Sequence, residues 1–215
     1  MLFRSRRWDP AVRERFHKLI LELGKQFDGK IEGINLPETA TSFGSSGRFF
    51  PEGFTAEVYR ESILANMEVL KRAFPKSVAM VYANFMPGEW LPGTDNGYLA
   101  SLYQRARQLK VAMGGPDLLP YKRGQMNHSY RFLPQLDGVV PTGIAVQFGN
   151  YDFENPKTNR RVTIQELFEF ASDSLKVDYI FWSIQEPYYS KEVIPFLNGK
   201  SAGGRQIVED RPGRQ

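Results

Sequence analysis

Five short apolar runs in the sequence are each followed by side chains that could do chemistry. Asn35 and Glu38 close the first, in GINLPETA. Asn84 closes the second, with Glu89 and Trp90 a few residues on. Asp117, Asn127, His128 and Tyr130 follow the third. Gln147, Asn150 and Asp152 follow the fourth. Trp182 lies in the fifth, with Gln185, Glu186, Tyr188 and Tyr189 after it. Acids and amides hydrogen-bond sugar hydroxyls, and flat rings stack on the C–H faces of a pyranose. Two carboxylates flanking a glycosidic bond can supply the acid and the nucleophile or base of its hydrolysis. On residue type and position, Glu38 and Glu186 are the candidate catalytic residues. Asn35, Asn84, Trp90, Asp117, His128, Tyr130, Gln147, Asn150, Trp182, Gln185 and Tyr188 are the candidate substrate-binding residues.

Each has a plainer reading beside it. Glu38 after Pro37 also fits a cap on the next turn. His128 fits a hydrogen-bonded structural histidine, and His17, among charges on a helix, fits a solvated surface. Trp182 inside an apolar strand fits the core. Glu186 beside Pro187 fits a solvated loop. The catalytic reading rests on convergence at one edge of the fold.

That convergence needs elements to position it. Residues 10–27 carry Val12, Phe16, Leu19, Ile20, Leu23 and Phe27 at helical spacing, with Asp9 as cap and Pro10 at the first position. KIEGINL reads as a short buried strand. TAEVYRESILANMEVLKRAF, GYLASLYQRARQL, TIQELFEFASDSL and SKEVIPFL read as helices. SVAMVYANF, KVAMGG, GIAVQFG and DYIFWSI read as strands, and roughly 115–142 reads as a long binding loop. Strands apolar on both faces, alternating with helices, predict a parallel sheet covered by helices in a single domain. Ligands then belong at the C-terminal ends of the strands.

Composition removes several alternatives. The chain has 215 residues, 41% hydrophobic and 24% charged, enough for a buried core. Its formal charge is +4, with acids and bases interleaved, so no nucleic-acid partner is expected. Without cysteine there is no disulfide or thiolate chemistry. No run is long enough to cross a bilayer and MLFRSRRWDP lacks a signal-peptide centre, which predicts a chain that is cytoplasmic as written, with no membrane partner. GGPDLL lacks the spacing and lysine of a phosphate-binding loop, and the acids and histidines miss metal-ligand spacing. No cofactor or metal is expected. Residues 1–7, with Arg4, Arg6 and Arg7, and residues 199–215, with Arg205, Arg211 and Arg214, read as flexible termini around a domain of residues 8–198.

WDPAVRERFHKLILELGKQFDGKIEGINLPETA, IAVQFGNYD and DYIFWSIQEPYY together resemble the C-terminal part, strands four to eight, of a (β/α)8-barrel glycoside hydrolase from the large clan with catalytic glutamates on strands four and seven. The resemblance covers roughly Trp8 to Leu197. It implies that Glu38 holds the acid/base position and that Trp182 lines the sugar subsite. Two departures stand out. Leu36-Pro37 separate Asn35 from Glu38 where the family has an adjacent pair, and Gln147 stands where the family has its second glutamate. An amide cannot be the anionic nucleophile of a retaining mechanism. Glu186 and Asp152 remain as partner carboxylates.

The fold class expected is therefore α/β, a partial (β/α)8 TIM-type barrel of about five parallel strands with the first three βα units missing. Such a remnant would expose its edges, which predicts a fragment of a longer product or a half-barrel covered by self-association or a missing N-terminal half. The function expected is a glycoside hydrolase-like protein acting on a carbohydrate ligand, the alternative being an inactive sugar-binding or degenerate barrel.

Overall fold

Asp9 and Pro10 open the first helix. The Asp9 carboxylate accepts hydrogen bonds from the Ala11 and Val12 amides at 2.9 and 3.1 Å, and Pro10 takes the position where an N–H is not needed. This helix, α1, runs Pro10–Phe27. It stops at Asp28, whose carboxylate accepts from the Lys76 and Ser77 amides at 3.0 and 2.9 Å. Gly29 then turns the chain at φ +74°, a region glycine enters without steric cost. The computed structural model describes residues 6–202 apart from Ser42, Gly44, Ser45 and Gly47. The expected loose ends lie largely outside the described residues, Arg4, Arg205, Arg211 and Arg214 among them.

After α1 come β1 (Gly33–Leu36), α2 (Ala56–Ala73), β2 (Val78–Tyr82), α3 (Tyr98–Leu109), β3 (Ala112–Gly115), α4 (Arg123–Asn127) and β4 (Thr142–Val146). A small antiparallel pair, β5 (Glu154–Asn155) and β6 (Arg160–Arg161), precedes α5 (Ile164–Glu169), β7 (Tyr179–Trp182) and α6 (Ile194–Ala202). The Thr163 side chain caps α5 and Glu166 reaches back to the Thr163 amide, which closes a capping box. The long stretch before β4 holds only α4 and two 3₁₀ turns, Ser129–Arg131 and Leu133–Leu136. The last predicted helix begins as a π turn, Tyr189–Val193, and continues as α6.

Five strands form one parallel sheet in the order β1-β2-β3-β4-β7. Register sorts their side chains onto two faces. Leu36 pairs with Val81, Val81 with Met113, and Val146 with Trp182. Leu36, Val81, Met113 and Val146 are buried in one core with Ile63, Met67, Leu70 and Leu102 of the helices. The helices therefore cover this face. Met80, Ala112 and Ala145 alternate with those residues and are buried without joining that core.

The second face fills itself. A Cβ added at Gly143 would fall 2.9 Å from Met80 Cε and Phe181 Cε2, and one at Gly114 would fall 2.9 Å from Tyr82 Cε1. Large side chains of β2 and β7 thus lie across the small residues of β3 and β4. The sheet curls to allow this, and Tyr179 on β7 donates its hydroxyl to Glu32, just before β1, at 2.6 Å. The result is an α/β half barrel with helices outside and a concave inner face.

Three expectations change. KIEGINL is not a buried strand: β1 is an edge, and its Gly33 and Asn35 are exposed. The stripe on α1 is also shifted. Ile20 and Gly24 are its buried residues, while Leu19 and Phe27 are 53% and 44% exposed. The reason is position, since α1 ends the helix row and packs chiefly on α2. His17 is not simply solvated either, because its Nε2 meets the buried Asn66 Oδ1 of α2 at 2.7 Å.

Among the described residues no helix is long and apolar enough to cross a membrane.

Candidate functional site

Glu38, Asn84 and Asp117 each sit two residues beyond a strand end, after β1, β2 and β3. Parallel strands place all three on one edge. Asn84 donates through Nδ2 to Glu38 Oε2 at 2.8 Å. Its Oδ1 accepts from the Phe85 and Ala40 amides at 3.0 and 3.2 Å, so the buried carboxamide is held at both ends. Glu38 is half-buried, and among the described residues nothing hydrogen-bonds its Oε1.

The same device recurs along the edge. Asn150 donates to Asp117 Oδ1 at 3.1 Å, and its own Oδ1 accepts from the Leu118 and Gln147 amides at 3.1 and 3.0 Å. Gln185 donates to Asp152 Oδ2 at 3.4 Å and accepts from the Gly149 amide at 2.8 Å, while the Tyr188 hydroxyl donates to Asp152 Oδ1. Three carboxylates are thus each held by an amide that follows the neighbouring strand. Arg7 braces one end of this row. Its Nη1 donates to the Glu38 carbonyl at 2.9 Å, and its guanidinium lies 5.4 Å from the Tyr59 ring centre. Read from sequence as part of a loose terminus, Arg7 is pinned.

Other expected site residues are placed differently. Glu186 is exposed, and its carboxylate accepts from the Ser190 hydroxyl and, at 3.4 Å, from the Ser190 amide. It serves the turn that follows it. Glu38 and Glu186 also follow the two opposite edge strands, β1 and β7, and so stand at the two ends of the row. Asn35 is exposed on the concave face, in register with Met80, and Gln147 is exposed at the end of β4. Tyr188 stacks on Tyr151 at 5.4 Å and 17°. Trp182 shares the helix-covered face with Val146, packs against the core and stacks on Tyr151 at 6.5 Å. The resemblance implies a sugar-facing ring there, but the pleat turns this one outward.

His128 and Tyr130 brace the long loop. The fully buried His128 donates through Nδ1 to the Gly124 carbonyl at 2.8 Å and accepts the Leu91 amide on Nε2 at 3.0 Å, which assigns the neutral tautomer. Tyr130 donates to the Asp117 carbonyl at 2.6 Å and accepts from the Leu119 amide at 2.8 Å. Both bind main chain, where a ligand role was expected of them. Burial pushes the Tyr130 phenol up and the His128 imidazole below its ordinary 6.5, with Glu89 opposing and Arg131 reinforcing the His128 shift.

A pH dependence follows from His128. A depressed folded pKa stabilises the protein fully above the unfolded value and loses that contribution as pH falls. Unfolding free energy from urea titrations is expected to drop between about pH 7 and pH 5. The drop should be smaller in His128→Gln. Equal slopes in the two proteins would mean that His128 does not take up a proton on unfolding.

Trp90 is 54% exposed and lines a recess of about 490 Å³. The Trp90–Gly93 segment forms one side, and Arg123, Gly124 and Asn127 of α4 form the other. This recess lies between the segments that follow β2 and β3, and Glu38 does not line it. Arg123 carries no sequence signal, because it falls in a stretch without hydrophobic period. Two further polar groups read in the sequence as strand interior. The Ser183 hydroxyl at the end of β7 is buried without a hydrogen-bond partner. The Tyr82 phenol on the concave face is pushed up to about 12 by burial.

Fold and site define an α/β half barrel with an amide-braced row of carboxylates along the C-terminal edge of its sheet. Compared with known proteins, the sequence matches no family model and no curated protein. Among the described residues, no three His, Asp or Glu side chains form a group that could hold a metal ion.

Proposed function

We propose that this chain is a glycoside hydrolase-like, carbohydrate-active protein built on a TIM-type half barrel, with Glu38 as its general acid/base. The Glu38–Asn84 pair carries the reading. A carboxylate at the C-terminal end of a parallel strand is fixed by a buried amide on one oxygen and, among the described residues, accepts no hydrogen bond on the other. Protonated Glu38 would give its proton to the glycosidic oxygen as the sugar–oxygen bond breaks. The resulting carboxylate would then take a proton from the attacking water. The carboxylate and amide groups of Asp117, Asn150, Asp152 and Gln185 supply donors and acceptors for sugar hydroxyls along the same edge. In this reading β1 and β7 are edges that further βα units, or a second copy, would pair.

The test is release of reducing ends from a panel of glycans. For any glycan that the wild-type chain cleaves, Glu38→Gln is expected to lower kcat/KM on the order of 10²-fold, mostly through kcat. Unchanged turnover would remove Glu38 from the mechanism. A second reading, a sugar-binding half barrel without turnover, is favoured by Gln147, whose amide stands at the end of β4 in place of a nucleophile. It predicts calorimetric binding of glycans that are never cleaved.

A further inference from the structure

We propose that the recess between Trp90 and α4 is a subsite for an acidic pyranose, a sugar ring bearing a carboxylate. This rests on the carbohydrate reading above and names one substrate class for it. Three observations support it.

The first is a supported platform. Trp90 stacks on Phe85 with centroids 5.9 Å apart and planes at 8°, and His128 backs it at 5.1 Å. Its main chain is tied to Thr94 by paired hydrogen bonds of 3.0 and 2.9 Å. An exposed indole held in this way loses little freedom when a flat, apolar sugar face settles on it.

The second is an uncompensated cation. Arg123 is exposed, and no ion pair or hydrogen bond among the described residues engages its guanidinium. Among the described residues no acidic side chain lines the recess. Guanidinium takes carboxylate in a two-pronged, charge-assisted pair, and a neutral sugar offers it nothing comparable.

The third is spacing. Asn127 stands four residues after Arg123 on α4, so the two side chains lie on one helical face. The Asn127 amide also has no hydrogen-bond partner among the described residues. A hexuronate presents a carboxylate and a neighbouring ring hydroxyl together, which is what a cation beside an amide can bind. A simple anion would leave the indole unused.

The recess is also coupled to Glu38. Phe85, which backs Trp90, gives its amide proton to Asn84 Oδ1 at 3.0 Å and its carbonyl to the Thr39 hydroxyl at 2.7 Å. Platform and carboxylate therefore share one braced segment.

The experiment is calorimetric titration of the intact chain at pH 7 with methyl β-glucuronide, methyl β-glucoside and acetate. The glucuronide is expected to bind at least 10-fold more tightly than the glucoside, with acetate weaker than either. Arg123→Gln should erase the preference for the acid by weakening the glucuronide at least 10-fold more than the glucoside. Trp90→Ala should weaken both sugars about 10-fold, and Trp90→Phe should restore part of that loss should the Ala variant lower the melting temperature. Equal affinity for the two glycosides, a preference that survives Arg123→Gln, or acetate competing as well as the glucuronide would each overturn the subsite. Binding of neutral oligosaccharides that depends on Glu38 and Asn84 while the glucuronide fails would overturn the subsite alone. Absence of binding by any sugar would overturn the carbohydrate reading with it.

Discussion

Gly24→Ala is expected to destabilise the chain by about 3 kcal/mol. The direction opposes intuition, since alanine is favoured over glycine inside a helix by about 1 kcal/mol. Contact decides the sign. A Cβ at Gly24 would fall 2.3 Å from the Ala73 carbonyl oxygen and 2.9 Å from the Ala73 carbonyl carbon and Cβ. The obstacle is mostly main chain near the end of α2, which cannot rotate away as a long side chain can. Restoring ordinary contact would need α1 to back off α2 by roughly 1 Å. That displacement unpacks Ile20 and stretches the 2.7 Å bond between His17 and Asn66. Since α1 packs chiefly on α2, most of its packing is disturbed at once. Urea denaturation checks the value, with Gly53→Ala as the contrast. Gly53 has φ +73° but nothing within 4 Å of its Cβ, so only the backbone conformation is strained and about 1 kcal/mol is expected. A Gly24→Ala protein as stable as wild type would mean that the two helices slide apart freely.

Gly24 also marks where pattern reading falls short. Hydrophobic period locates α1 correctly, but it ranks side chains by apolarity and so passes over the residue that makes the closest contact. The strands show a related limit. Runs such as VAMVY and TGIAV read as buried on both faces, and they are, for two different reasons. Val81 and Val146 meet helices, whereas Gly143 lies under Met80 and Phe181 and Gly114 under Tyr82. Sequence period cannot separate a face covered by helices from one covered by its own neighbours. The edge position of β1 is equally hidden, because whether GINL has a partner on each side depends on strand order.

The carboxylate row was legible because it follows from local rules. A strand end, a two-residue step and a polar side chain place Glu38, Asn84 and Asp117 on one edge of any sheet whose strands run parallel. Roles set by long-range main-chain contacts were not legible. His128 and Tyr130 read as ligand groups because the loop around them has no period, yet the backbone of Gly124, Leu91, Leu119 and Asp117 consumes their polar atoms. Trp182 was lost to parity. A side chain one position along a strand faces the opposite side of the sheet, and only the pairing with Val146 shows which side that is.

Glu89→Ala is expected to cost about 4 kcal/mol, the largest loss from any single carboxylate among the described residues. Glu89 is 2% exposed, yet no lysine or arginine pairs with it among the described residues. Its partners are amides at the start of α3. Oε1 accepts from Asn96 and Tyr98 at 3.1 and 2.6 Å, and Oε2 accepts from Leu99 at 2.9 Å. The cap residue there is Gly97, which has no side chain to offer, so a glutamate eight positions upstream fills the role. Negative charge at this end of a helix is also favoured by the aligned peptide dipoles. Alanine would leave three amides without their acceptor, the Tyr98 and Leu99 bonds being in buried surroundings. Each orphaned amide costs about 1–3 kcal/mol. Glu89→Gln keeps one acceptor and turns an NH₂ group toward the other amides, so roughly half the loss is expected. Amide hydrogen exchange at Tyr98 and Leu99 should rise in both variants, and more in the alanine one. The effect should also reach Trp90, which is the next residue and depends on the same loop for its stance on Phe85. A Glu89→Ala protein within about 1 kcal/mol of wild type, with Tyr98 and Leu99 still protected, would show that water or another group caps α3 and that the Trp90 platform stands without Glu89.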